Sequence, residues 1–303
     1  MQQQQAEACG KTIIIGEHAV VYGARAVAMP IKSHTMQVKL TPNQDPHAAS
    51  QFFMGDKALP EHVCQVVDEA RDILGIPKAS LTLRGKSSLP IGAGLGSSAT
   101  LCVVVLRALA QASGLTLSPV EIAQYANQLE KRFHGNPSGL DTSVVAFEAP
   151  IAFRKGEVPQ EISVRGRWQF VLVDSGLRAS TKAMIDKASP YFKSENGSNY
   201  LARFDALADK VVKGLATDDA ATVAAAMLES ADMLSEAGVN TTELRDIANR
   251  AMSYGAVAAK MTGAGGGGAV LCLIDPRWTP ARVEAFEKQF VGLATFALEL
   301  KGD

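Results

Sequence analysis

The residues best suited to chemistry in this 303-residue chain begin with a loop, PIGAGLGSSAT, at positions 90–100. Gly92, Gly94 and Gly96 leave backbone bare enough for a charged ligand to reach its N–H groups. Ser97 and Ser98 then open the apolar run ATLCVVVLRALAQA, which reads as a helix ending near Gly114. The first turn of a helix offers unpaired N–H groups and the positive end of the dipole, so glycines feeding a helix make a seat for an anion. The common phosphate loop GxxxxGK[ST] needs a lysine that is missing here. Any cation acting on bound phosphate must come from elsewhere in the chain, or be a metal. The same residues also read as a plain glycine turn capped by serine.

Two acids and a base join this loop. Glu130 stands near the end of a helix, and Asp141 follows the tight turn Asn136-Pro137-Ser138-Gly139 that this helix enters. The turn can fold both carboxylates towards one cavity, one holding a metal and the other handling a substrate proton. Flanked by Lys131 and Arg132, Glu130 reads equally as part of a solvated helix face. Lys11 begins the apolar strand KTIIIG, where a solvated charge is out of place, and Glu17-His18 follow that strand directly. Binding residues gather at such ends, although an exposed turn gives the same pattern. His134 and the other histidines have no partner at metal-ligand spacing. Residues Gly263 to Gly268 match GxGxxG, but a strand pattern, AVLCLI, follows them where a dinucleotide fingerprint requires a helix. A protein-kinase reading fails as well, since HRD and DFG are absent. What survives is a glycine turn whose backbone can approach a ligand or another loop.

The elements that must position these groups follow from periodicity and punctuation. Strands are expected at Lys11–Gly16, Ala26–Ile31, Thr35–Leu40 and Ser80–Lys86, with Gln2 to Gln5 a frayed end and 41–60 a loop. Glu61–Leu74 reads as a helix stopped by Gly75. Ser118-Pro119-Val120-Glu121 is a capping box with proline at the first helical position, starting a helix that runs to about His134 and Gly135. The second half opens on the strand Trp168–Asp174. Helices are expected around 180–188, 199–213, 218–235 and 241–253, then AVLCLI, a helix from Pro280 to about Phe290, and the strand TFALEL. A domain boundary is placed near 165, dividing 1–165 from 166–303. No internal repeat is visible.

Composition narrows the class. At 47% hydrophobic and 20% charged the chain is an ordinary globular one, long enough for two domains. A net charge of −1 leaves no basic footprint for nucleic acid or a membrane surface. Cys9, Cys64, Cys102 and Cys272 show no metal-ligand spacing and read as reduced residues of a cytoplasmic protein. The N-terminus has no signal-peptide pattern, and no apolar run is long enough to span a bilayer.

With these motifs in hand, the chain resembles the superfamily of galactokinase, homoserine kinase, mevalonate kinase and phosphomevalonate kinase, the GHMP kinases. CGKTIIIGEHAVVYG, PIGAGLGSSAT and KMTGAGGGGAVLCL occur in the expected order over nearly the whole length. HGNPSGLD with Glu130 before it is most similar to the mevalonate kinase branch, and GEHAVVYG lacks the GEHTDY-like ending of galactokinases. The resemblance implies an α+β fold of two domains, the first ribosomal protein S5 domain 2-like and the second ferredoxin-like. It implies ATP and Mg²⁺, with mevalonate as the small-molecule acceptor and a homodimer as one possible assembly. By the same resemblance, Pro90, Gly92, Ala93, Gly94, Leu95, Gly96, Ser97, Ser98 and Ala99 cradle the ATP phosphates. Ser98 and Glu130 hold the metal, Asp141 accepts the acceptor's proton, and Lys11 stands beside it. Glu17, His18 and Thr181 of RASTK contact the acceptor, and Gly263, Gly265 and Gly266 support the phosphate loop. A kinase of the same superfamily acting on phosphomevalonate, homoserine or a sugar, or a non-catalytic nucleotide-binding relative, are the alternatives. Two departures stand out: Cys9 replaces the family's usual proline, loosening the start of the first strand, and Thr142 follows Asp141 where many relatives carry asparagine.

Overall fold

The computed structural model describes residues 2–45, 48–90 and 92–302. Ile91 of the glycine motif and Pro46-His47 of the expected loop lie outside the described residues, as do the two end residues. The chain forms two compact units, each drawn from separate stretches of sequence. The first comprises Met1–Lys11, Pro30–Leu89 and Gly96–Glu148; the second comprises Thr12–Met29, Pro90–Leu95 and Ala149–Asp303.

Two long strands run from one unit into the other, β1 (Gln4–Ile15) and β2 (Ala26–Pro42). In the first unit β2 pairs antiparallel with β5 (Leu81–Ser87), and β5 pairs parallel with β3 (Gln51–Met54), which is edged by β4 (Lys57–Ala58). The helices here are α1 (Glu61–Leu74), α2 (Ser97–Ala112), α3 (Pro119–His134) and α4 (Leu140–Phe147). Because α2 is apolar all round, it is buried along most of its length and packs against α1, α3 and α4. Ser118 and Glu121 exchange both capping-box bonds at the start of α3, and Pro119 sits in its first turn. That fixes the helix whose far end carries Glu130.

In the second unit β6 (Ile151–Phe153) pairs with the first residues of β2 and with β7 (Gln160–Glu161). A separate antiparallel sheet follows, built from β8 (Arg167–Asp174), β9 (Ala258–Thr262), β10 (Ala269–Ile274) and β11 (Ala294–Lys301). Its spatial order is β11-β8-β10-β9. Helices α5 (Thr181–Phe192), α6 (Gly197–Thr217), α7 (Ala220–Glu236) and α8 (Thr242–Ser253) separate β8 from β9, and α9 (Pro280–Glu287) separates β10 from β11. Taking its own strands in sequence, the order is fourth, first, third, second, the ferredoxin-like arrangement.

Several sequence expectations need correction. Gln4 and Gln5 are part of β1, and Gln2 N–H donates to Ala112 O at 3.2 Å, so the end is tied down rather than frayed. The two strands expected within 26–40 are one, since Lys32 and Ser33 are exposed residues of a continuous strand and not a break. The loop 41–60 contains β3 and β4. A short helix, α4, follows the Asn136–Gly139 turn, started by Gly139 at φ 91°. The helix α9 ends at Glu287 rather than near Phe290. Cys9 lies in the middle of β1 with its carbonyl bonded to Thr100 Oγ1 at 3.0 Å, so its strand is not loosened there. All four cysteines are free, and three are buried. Among the described residues no helix is long and apolar enough to cross a membrane.

Candidate active site

The first unit gathers Lys11, Ser98, Glu130, His134 and Asp141. Lys11 is carried by β1 and is only 2% exposed, and its ammonium lies 3.0 Å from Asp141 Oδ2. Asp141, in the first turn of α4, keeps 30% of its side chain exposed. A buried ammonium thus faces a carboxylate that water or a substrate can reach. Gly96 makes this approach possible. It is the N-cap of α2 at φ 78°, a conformation that side chains disfavour, and a Cβ there would meet Lys11 Cγ at 2.8 Å. Thr100 Oγ1, bonded to both Cys9 O and Gly96 O, ties strand and helix start together.

No side chain caps α2, which sets aside the serine-cap reading. The N–H groups of Ser97, Ser98 and Ala99 therefore keep the unpaired state of a helix first turn. Ser98 Oγ donates instead to Glu130 Oε1 at 3.0 Å and lies 3.1 Å from His134 Nε2. Glu130 is 2% exposed, so the solvated-face reading fails for it although Lys131 and Arg132 beside it are exposed. Burial, and then the negative charge of Asp141, push its carboxyl up to about 8. Burial also lowers the His134 pKa, which keeps its ring neutral. Metal-ligand spacing alone does not reveal His134 as a partner of Ser98 and Glu130. The i, i+4 offset from Glu130 was the available signal.

The second unit holds Pro90, Gly92, Ala93, Gly94 and Leu95 together with the glycine turn after β9. Gly263 packs on Gly94 so closely that a Cβ would sit 3.3 Å from the Gly94 Cα and oxygen. Backbone lies directly on backbone, which a side chain at Gly263 would crowd. Ala93 and Leu95, like Ala99 of the first unit, are buried and anchor the loop. Gly265 and Gly266 continue the turn, and Gly266 N–H donates to Val239 O at 2.9 Å.

Glu17 and His18 follow β1 in this unit, and both are buried. The Glu17 carboxylate is bonded to Lys260 Nζ, and both side chains are wholly sealed from solvent. Lys260 also donates to Met261 O at 2.7 Å. His18 Nε2 lies 2.7 Å from Ala264 O. A carbonyl can only accept, so Nε2 carries the proton. Burial lowers the His18 pKa and keeps the ring neutral, leaving Nδ1 a buried acceptor without a hydrogen-bond partner. Thr181 occupies the first position of α5, whose cap is Ser180. Lys260 escaped notice in KMTGAGGGG, although a lone charge in a fully buried strand is the signal that singled out Lys11.

Among the described residues no group of three His, Cys, Asp or Glu side chains could hold a metal ion by itself. The Glu130 carboxylate and Ser98 hydroxyl are hard oxygen donors of the kind Mg²⁺ accepts, and they fit an ion that takes its remaining ligands from phosphate and water.

The comparisons with known proteins follow this geometry. Residues 61–149 match the model of the GHMP kinases N terminal domain, and residues 211–290 match that of the GHMP kinases C terminal. A mevalonate kinase of Aeropyrum pernix is 28% identical over 285 residues, covering 89% of this chain and 88% of its own length. The structure of the mevalonate kinase of Methanococcus jannaschii superposes with a TM-score of 0.84 at 23% identity, covering 99% of both chains. That of a Streptococcus pneumoniae phosphomevalonate kinase, solved with phosphomevalonate and AMPPNP, superposes with a TM-score of 0.83 at 15% identity, covering 98% of this chain and 100% of its own.

Proposed function

This chain belongs to the GHMP kinase family, a kinase acting on a small molecule with ATP as donor, and we propose that its acceptor is mevalonate, converted to 5-phosphomevalonate. The observation that carries the chemistry is the Lys11–Asp141 pair. Asp141 takes the proton of the attacking hydroxyl. The hydroxyl oxygen bonds to the γ-phosphorus as the bond to the leaving ADP breaks. The Lys11 ammonium stays beside the oxygen as charge develops on it. The N–H groups at the start of α2 receive the phosphates. Ser98 and Glu130 would hold Mg²⁺, which neutralises phosphate charge when bound. We assign these roles within 1–165 and give residues beyond to the C-terminal domain.

The choice of acceptor is supported by the relatives named mevalonate kinase. It is also supported by what the nearby cations already do. A phosphorylated acceptor needs spare Lys or Arg charge. Arg178 forms a two-bond pair with Asp174 at 2.7 and 2.8 Å, Lys182 pairs with Asp186 at 3.2 Å, and Lys11 pairs with Asp141. Each is matched by a carboxylate. An ADP-release assay with mevalonate, phosphomevalonate, homoserine and galactose tests the proposal. Turnover of phosphomevalonate without mevalonate would overturn the acceptor.

A further inference from the structure

Resting on the reading that Glu17 and His18 meet the acceptor, we propose that Lys260 is a positioning residue: it holds the Glu17-His18-Ala19 turn in its working shape and so sets acceptor affinity rather than turnover. The turn is unusual. Ala19 N–H donates to Glu17 O at 2.6 Å, closing a three-residue γ-turn centred on His18. His18 adopts φ 59° and ψ −50°, the strained hand of that turn and outside the regions open to side-chain-bearing residues. Such a backbone persists only where its surroundings over-determine it.

Backbone bonds from Val20 N–H to Gly16 O and from Val21 N–H to His18 O close the chain around it, and its side-chain contacts come from β9 and the glycine turn after it. Lys260 bonds the Glu17 carboxylate on one side of the strained residue, and Ala264 O accepts from the His18 ring on the other. Two residues further back, Thr262 Oγ1 accepts from Ile13 N–H at 3.0 Å and donates to Ile13 O at 3.0 Å. Lys260 is the one charged member of this set that faces Glu17. No step of phosphoryl transfer uses it, and water does not reach it. An ammonium sealed so completely has been taken from water at considerable cost, and its carboxylate partner is what offsets that cost. Losing the ammonium takes from the buried Glu17 the Lys260 charge bonded to its carboxylate. The carboxylate then turns away or takes up a proton, and the γ-turn loses one of its two side-chain anchors.

The test is steady-state kinetics on full-length wild type, Lys260→Met, Glu17→Gln and the double variant. Wild-type turnover of mevalonate is measured first. If another hydroxyl compound is phosphorylated instead, the acceptor assignment falls and the same comparison is made with that compound. Lys260→Met should raise the acceptor KM by roughly 10-fold or more, with kcat and the KM for ATP within about 2-fold of wild type. Glu17→Gln should do the same, and the double variant should be no worse than the worse single, because both changes act through one group. The double variant should also melt higher than Lys260→Met, having no uncompensated charge, while its acceptor KM stays high. Unchanged acceptor KM in Lys260→Met, a loss confined to kcat, or KM penalties that multiply in the double variant would each overturn the proposal. If Lys260→Met does not fold, the double variant is set against Glu17→Gln: equal acceptor KM supports the proposal, and a further loss overturns it.

Discussion

The Lys11–Asp141 and Glu17–Lys260 pairs each set an ammonium against a carboxylate, yet water reaches one carboxylate of the four groups and barely touches the rest. Asp141 is 30% exposed, whereas Glu17 and Lys260 are fully sealed. A carboxylate open on one side can exchange its proton with an incoming hydroxyl and stay solvated if its partner is lost. A sealed pair has no such exchange, so its energy is spent on geometry. In the proposed reading the same two functional groups do proton chemistry in one unit and hold a backbone in the other. Burial is what separates the roles.

The contrast can be broken from several sides. Asp141→Asn should bind ATP and acceptor nearly normally and lose kcat by roughly 10²–10⁴-fold, as read by single-turnover and steady-state assays; near-native turnover would remove Asp141 from the chemistry. Lys11→Met should cost about 10²–10³ in kcat, yet shift the melting temperature little, because the exposed side of Asp141 can recruit water. Lys260→Met should show the reverse balance for stability, losing about 3–5 kcal/mol in urea unfolding because a sealed Glu17 loses the ammonium bonded to it. If Lys11→Met proves the less stable of the two, exposure is not what distinguishes the pairs. Glu130→Gln should weaken the metal–ATP complex, raising the KM for ATP by about 10-fold at low Mg²⁺, with partial recovery as Mg²⁺ is raised.

The smallest effect concerns pH. Folded, the Glu130 carboxyl holds its proton up to about 8, against an ordinary 4.5 in the unfolded chain. Between those values the native state binds more protons. This residue's contribution is therefore complete below about pH 4.5 and is lost as pH rises towards about 8. Metal-free wild type should melt higher at pH 5.5 than at pH 8 by more than Glu130→Gln does, and identical pH dependence in the two would remove Glu130 as the cause.

Much of the scaffold was readable in the residues. The capping box at Ser118 and the glycine stops at Gly75 and Gly135 mark helices that the structure contains, because these signals are local. The strands within 41–60 were not readable, since a parallel partner such as β5 lies far along the chain and leaves no mark on the segment it pairs with. Lys11 stood out as a charge opening an apolar run. Lys260 carried the same signal but was masked by the glycines after it, which drew attention to the backbone instead. Nor could sequence tell a solvated Glu130 from a buried one, because its neighbours Lys131 and Arg132 do face solvent while the helix turns Glu130 inward.

The pair of hydrogen bonds between Thr262 and Ile13 also bears on the order in which the molecule is made. A single hydroxyl satisfies both the N–H and the C=O of a residue near the chain's beginning, and the two positions are 249 apart. A ribosome therefore releases the first strand long before it supplies the group that completes that strand's end. The second unit, drawing on residues 12–29 as well as on 149–303, cannot close until that later stretch has been made. Through that interval the nascent chain must carry an early strand whose Ile13 N–H and C=O lack the hydroxyl that later pairs with both.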